Sequence, residues 1–111
     1  MSNISTHILD TSVGKPAAGV RVWLEREHGG QWLALAASRT DADGRARELT
    51  PTGLAAGHYR LHADLGAYFA ADGRETLYAT AIIDFVIGDP AQHYHLPLLI
   101  APYAYSTYRG S

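Results

Sequence analysis

Histidine changes charge closest to neutral pH, and six of them in 111 residues raise two chemistries, metal chelation and general acid–base catalysis. His93 and His95 stand two apart, which on a strand places both imidazoles on one face where they could chelate a metal. Tyr94 and Pro97 beside them are not ligands, and the chain has no cysteine to complete a set. Solvated or hydrogen-bonded histidines account for the pattern, and no metal is expected. Ser5, Ser106 and Ser111 could act as nucleophiles only where the fold brings a base close. No serine has the spacing of a nucleophile elbow, which argues against an α/β-hydrolase. The glycines fall at turns and form no phosphate-cradling loop.

Strand parity sorts the candidates further. In a first strand over 4–9, Ile4, Thr6 and Ile8 share a face that reads as core, and Ser5, His7 and Leu9 share the other. His7 then faces solvent, a pocket or a subunit contact. Near the end of the chain His93, His95, Pro97 and Leu99 share a face in the same way. Proline cannot donate to a ladder, so position 97 should lie at an edge, a bulge or an unpaired point.

The elements that must hold these residues are short extended runs broken by turn signals, the pattern of a sandwich or barrel. Asp10-Thr11 and a Gly14-Lys15-Pro16 turn close the first run. Residues 20–25 run on to Gly29-Gly30, and with 32–38 they predict a hairpin over the diglycine. Alanines in 33–37 leave a helix open there. Asp41-Ala42-Asp43-Gly44 reads as a turn in which Gly44 supplies positive φ. A short strand over 45–49 and a loop through Pro51 and Gly53 follow. Residues 57–63 alternate as a strand, 67–71 form a helical patch ending at Gly73, and 77–87 is the clearest strand. Asp89-Pro90 then leads into strands over 93–100 and 103–109, separated by Ala101-Pro102. The reading is an all-β sandwich of about eight strands with one short helix and no internal repeat.

Bulk composition agrees with this picture. The length suits one domain spanning 1–111, and 47% hydrophobic residues argue against disorder. A formal charge of −2 without a basic block gives nucleic-acid binding no electrostatic support. Absence of cysteine excludes a disulfide framework and thiolate metal sites. The opening Met-Ser-Asn-Ile-Ser-Thr-His has no charged segment leading into an apolar one, and no apolar run reaches membrane-spanning length. Cytoplasm is therefore expected, with no membrane partner.

Several strings, in one order along nearly the whole chain, carry a resemblance. They are Ser5-Thr6-His7-Ile8-Leu9-Asp10-Thr11 with Gly14-Lys15-Pro16-Ala17, then Thr40-Asp41-Ala42-Asp43-Gly44-Arg45, then Gly66-Ala67-Tyr68-Phe69. His93-Tyr94-His95-Leu96-Pro97-Leu98-Leu99 and the run from Pro102 to Tyr108-Arg109-Gly110-Ser111 complete the set. Together they resemble the 5-hydroxyisourate hydrolases of the transthyretin-like family; Ala101, where relatives commonly have serine, is the one departure. The resemblance implies a transthyretin-like two-sheet sandwich and hydrolysis of 5-hydroxyisourate in urate breakdown. The product would be an unstable ureidoimidazoline carboxylate, formed without metal or cofactor. It also implies a homotetramer, a dimer of dimers with sites in the channel between dimers.

The same resemblance implies catalytic roles for His7, Arg45, His95 and Ser111, and substrate contacts for His7, Arg45 and Tyr108. Histidine as a residue type ionises near neutral pH, which suits His7 and His95 to deprotonation of water. Arg45 suits an electron-rich substrate edge and charge developing on a carbonyl oxygen. Ser111, read as the carboxyl terminus, would bond to a catalytic histidine or to water. Other readings assign Arg45 to balancing Asp41 or Asp43, with Arg47 on the same strand face, and leave His93 structural. Tyr103 and Tyr105 read as packing residues, and His28, His58 and His62 as surface ones. Two competing functions are a transthyretin-like carrier of a small aromatic ligand, which needs an apolar channel, and a plain interaction sandwich, which needs no convergence of these side chains.

Overall fold

Alternating burial along the strands builds two sheets that close on one apolar core. The computed structural model describes residues 3–47, 49–50 and 53–111. Its elements are β1 (Ile4–Asp10), β2 (Lys15–Pro16), β3 (Arg21–His28), β4 (Gln31–Arg39), β5 (Arg45–Ala46), β6 (Gly57–Asp64), α1 (Leu65–Ala71), β7 (Thr80–Ile87), β8 (Tyr94–Ala101) and β9 (Ala104–Thr107). One sheet runs β2-β1-β8-β9 with β5 also paired to β1, and the other runs β4-β3-β6-β7. The β1–β8 pair is parallel and the remaining pairs are antiparallel. Ile4, Ile8, Leu98 and Ile100 from the first sheet and Val22, Leu24, Tyr59 and Leu61 from the second are all buried. Alternate residues of β1, β3, β6 and β7, with most of β8, thus fill the space between layers, as a sandwich requires. Among the described residues no helix is long and apolar enough to cross a membrane.

Several boundaries differ from the sequence reading, each for a local reason. The hairpin strand expected over 32–38 is present and the helix left open at 33–37 is not, because β4 pairs along the whole of β3, with a register shift at Leu24/Glu25. Cross-strand pairing outweighs the weak propensity of alanine. Lys15–Pro16, read as a turn, forms the short β2 against Leu9 and Asp10. The strand expected over 45–49 is only Arg45–Ala46, and Pro51 lies outside the described residues. The strand expected from Leu77 begins at Thr80. The preceding segment is tied instead to the β8–β9 turn, where Leu77 N–H and the Thr76 hydroxyl both donate to the Pro102 carbonyl. His93 precedes β8 and does not belong to it.

Pro97 sits in an interior strand, not at an edge, yet it does mark an unpaired point. The β8–β9 ladder stops at Leu98↔Thr107 and is taken up again only by the isolated bridge His95↔Gly110. With no N–H at residue 97, the facing stretch 108–109 is left off the ladder. The Pro97 carbonyl is satisfied by the Thr107 hydroxyl at 2.6 Å.

Where β1 ends, Asp10 locks the sandwich to α1. Its side chain is fully buried and accepts hydrogen bonds from Ser12, from the Tyr68 hydroxyl at 2.9 Å and from Arg74 Nη2 at 2.7 Å. Burial alone would raise its pKa, but the bonds from Ser12, Arg74 and Tyr68 outweigh that and hold it below the ordinary carboxylate value. Removing one member of a buried pair strands the others, so Asp10→Ala should cost about 3 kcal/mol at neutral pH. A depressed carboxylate stabilises the fold above its unfolded pKa of roughly 3.9 and loses that contribution as pH falls through the lower folded value. Urea unfolding at pH 7 and pH 3 should therefore show the gap between wild type and Asp10→Ala narrowing in acid; a constant gap would contradict this account.

Candidate active site

The register of β1 gathers the chemistry. Ser5 is the Cα partner of His95 on β8, while His7 faces Pro97 on β8 and Arg45 on β5. Partnered residues project to the same side of a sheet. With Ile4, Thr6 and Ile8 committed to the core, Ser5, His7, Arg45 and His95 therefore share the outer side. A cavity of about 460 Å³ opens there, lined by Ser5, Thr6, Arg45, Arg47, His93, His95 and Ser111.

A tight turn sets Arg45. The Asp41 carboxylate accepts the N–H groups of Asp43 and Arg45, each at 2.9 Å, and the Asp41 carbonyl accepts Gly44 N–H. The bond from Arg45 N–H is the main reason the Asp41 carboxyl is held below its ordinary pKa. Gly44 has φ +78°, and a Cβ there would stand 2.4 Å from the Ile8 carbonyl. Only glycine lets the turn lie this close to β1. Among the described residues no ion pair includes Arg45, although its charge and that of Arg47 also help to lower the Asp41 pKa.

The histidines are oriented by distinct partners. His7 Nε2 lies 2.8 Å from the Asp43 carbonyl, an acceptor, so Nε2 carries the proton and the neutral ring keeps Nδ1 as its basic nitrogen. His95 Nδ1 lies 2.8 Å from Ser5 Oγ, and His93 Nε2 lies 2.9 Å from the same oxygen. Burial is the main cause that lowers the His95 pKa, with further lowering from the charges of Arg45, His93 and His7. Gly110 packs on this ring: its N–H donates to the His95 carbonyl at 2.8 Å, and a Cβ there would meet His95 Cδ2 at 2.6 Å.

Residues 4–110 match the model of the HIUase/Transthyretin family. The chain belongs to that family. It is 50% identical to the 5-hydroxyisourate hydrolase of Caulobacter vibrioides over 115 aligned positions, covering all of both chains. It superposes on the Klebsiella pneumoniae 5-hydroxyisourate hydrolase structure with TM-score 0.91 and 52% identity, covering all of both chains. Sea bream transthyretin in complex with thyroxine is also similar, with TM-score 0.91, 31% identity and coverage of 97% of this chain and 94% of that one. The transthyretin-like sandwich is thus shared by a hydrolase and a protein in complex with thyroxine, and the fold alone does not separate them.

Within this family member, Arg45, His95 and Ser111 meet at the cavity, and His7 lies near enough for its charge to act on His95. Tyr108 does not line the cavity; its side chain is 59% exposed. Arg109 braces the surface instead, bonding Gln92 Oε1 and lying over the Tyr94 ring. Sequence reasoning underrated Ser5, His93 and Arg47. The signals were there in the parity of Ser5 with His7, of His93 with His95, and of Arg47 with Arg45, but the parallel β1–β8 register was not. His58 and His62 belong to the other sheet. His62 is only 12% exposed, pairs with Glu25 and stacks on Trp23, so it is not the free surface residue expected.

Two outcomes follow from this geometry. Arg45→Met should raise the His95 pKa toward about 6.5, the ordinary histidine value, in an NMR titration of the imidazole signals; an unmoved or lower value would count against the charge contact. Gly110→Ala must displace the His95 ring or lift the tail. It should perturb the His95 signals strongly while leaving thermal unfolding within a few degrees of wild type, about 1 kcal/mol or less.

Proposed function

We propose that this chain is a 5-hydroxyisourate hydrolase of urate breakdown, with His7, Arg45 and His95 as its catalytic residues and Ser111 beside them. The observation that carries the reading is the convergence of two histidines and an arginine on one sheet face of a family member. The cavity's lining is polar and cationic, which suits the electron-rich edges of a purine-derived ring and is poor for a carrier of an aromatic hormone. A plain interaction sandwich has no need of this convergence.

In the proposed reaction, one histidine takes a proton from water as the oxygen attacks a ring carbonyl carbon. Charge develops on the carbonyl oxygen and is steadied by Arg45. The ring C–N bond then breaks, the departing nitrogen receives the proton from the imidazolium, and the carboxylic acid formed releases its remaining proton to solvent as a carboxylate. A lowered His95 pKa keeps that ring neutral, and so able to act as base, at and somewhat below neutral pH. Ser111 holds the cavity wall, and Tyr108 contributes an exposed ring beside it.

The 111 residues act in this reading as one cytoplasmic domain assembled into a homotetramer, a dimer of dimers, with the cavity on the channel between dimers. Support for assembly comes from β7 and β9, each an edge strand of its sheet, and from exposed Ile82, Val86, Tyr103 and Tyr105. Open edges and apolar side chains of this kind favour association with another copy.

The test generates 5-hydroxyisourate in situ from urate and follows its ultraviolet decay. Wild type should accelerate decay above the spontaneous rate, and no acceleration would refute the reading. His7→Ala, Arg45→Ala and His95→Ala should each lose at least about tenfold in turnover, below the usual range for lost acid–base or charge stabilisation. Each should still sediment with the mass of four chains.

A further inference from the structure

Ser5 is a buried residue that the proposed mechanism leaves unused, and its hydroxyl stands between two imidazoles. It is 8% exposed, with His93 Nε2 at 2.9 Å and His95 Nδ1 at 2.8 Å from Oγ. A hydroxyl has one proton and accepting lone pairs. With these two neighbours it is satisfied when it donates to one ring and accepts an N–H from the other. We propose that Ser5 and His93 form a proton relay beside His95 along the cavity wall, passing its proton to and from solvent at the exposed His93. Ser5 and His93 are then positioning residues, and His95 remains the catalytic one. This inference rests on the hydrolase reading for its kinetic consequence but not for its structural one.

The relay balances proton for proton. At the outset His95 Nδ1–H donates to Ser5 Oγ, whose own proton donates to His93 Nε2. His95 Nε2, which has no hydrogen-bond partner among the described residues, takes a proton from the attacking water and the ring becomes imidazolium. The Nδ1 proton moves to Oγ as the Oγ proton moves to His93 Nε2. His95 is neutral again, now protonated on Nε2, and His93 carries the charge. Running the steps backward returns the proton to the departing nitrogen.

The surroundings set the direction of transfer. His95 is half-buried, whereas His93 is exposed and a cation there keeps its hydration. The groups bearing on His95 are Arg45 and Arg47 from β5 and the residues after it, His7 from β1 and His93 from the approach to β8. All of these are cationic or become so, and they disfavour a lasting positive charge on His95. The β1–β8 register, with Ser5 opposite His95, holds the bridge in place. His93 is satisfied as a purely structural partner only if its removal leaves proton transfer unchanged.

The experiment measures kcat and KM across pH and buffer concentration for Ser5→Ala, His93→Gln, their double variant and Ser5→Thr. Ser5→Ala and His93→Gln should each lower kcat about tenfold, a modest share of an acid–base contribution, with KM within about twofold. The double variant should be no slower than either single one, because both break one relay. Imidazole buffer should restore kcat in the variants in proportion to its concentration and leave wild type unmoved, and Ser5→Thr, which keeps the hydroxyl, should retain kcat. Wild-type kcat in Ser5→Ala, or losses that multiply in the double variant without buffer rescue, would overturn the relay. Imidazole ¹⁵N shifts of the free protein give a readout independent of turnover. Ser5→Ala should change the protonation pattern of His93 Nε2 and His95 Nδ1 together, and unchanged shifts would refute the bridge. A wild type that fails to hydrolyse 5-hydroxyisourate while showing these coupled shifts would instead refute the hydrolase reading alone.

Discussion

The parallel pairing of β1 with β8 runs unbroken from Ile4↔Tyr94 to Asp10↔Ile100, and each part of the site hangs from it. One edge of β1 faces β8 and the other takes β2 and β5, so a single strand fixes the separation of Ser5 from His95 and of His7 from Arg45. A slip of one residue would send Ile4, Thr6 and Ile8 outward and bring Ser5 and His7 into the apolar layer. The burial of those core residues therefore holds the catalytic face in register. Asp10 completes the lock where β1 ends, joining the strand to α1 and Arg74 through one buried carboxylate.

Much of the fold was legible because it depends on local chemistry. The diglycine hairpin, the Asp41–Gly44 turn and the outward His7 follow from turn residues and from a period of two. The elements that were misjudged depend on pairing at a distance. Lys15–Pro16 is a strand because β1 lies beside it, and β1 likewise draws in only Arg45–Ala46 of the strand expected over 45–49. Leu77 is drawn out of β7 by a carbonyl on the far turn. Such partners have no trace in the local pattern.

The site divides along the same line. Arg45 could be singled out by the turn before it, and His7 and His95 by parity and by resemblance. Ser5 was recognised only as a serine lacking a base, and the two imidazoles that meet it are 88 and 90 residues away in sequence. Arg47 and His93 were each one parity step from a chosen residue. Tyr108 was assigned by its place in the terminal signature, and it is not among the residues that line the cavity.

The gap opposite Pro97 bears on how firmly that tail is held. Beyond Thr107 the last residues are attached by the Gly110–His95 bridge and by the surface brace of Arg109, not by a continuous ladder. Detaching them exposes few apolar groups and breaks few backbone bonds, so their opening free energy is separable from that of the sandwich. The stretch 108–110 is thus laid over the His95 ring by a few discrete attachments. A change there alters one wall of the cavity while the sheet beneath stays intact, so the completeness of the site and the stability of the fold answer to different contacts.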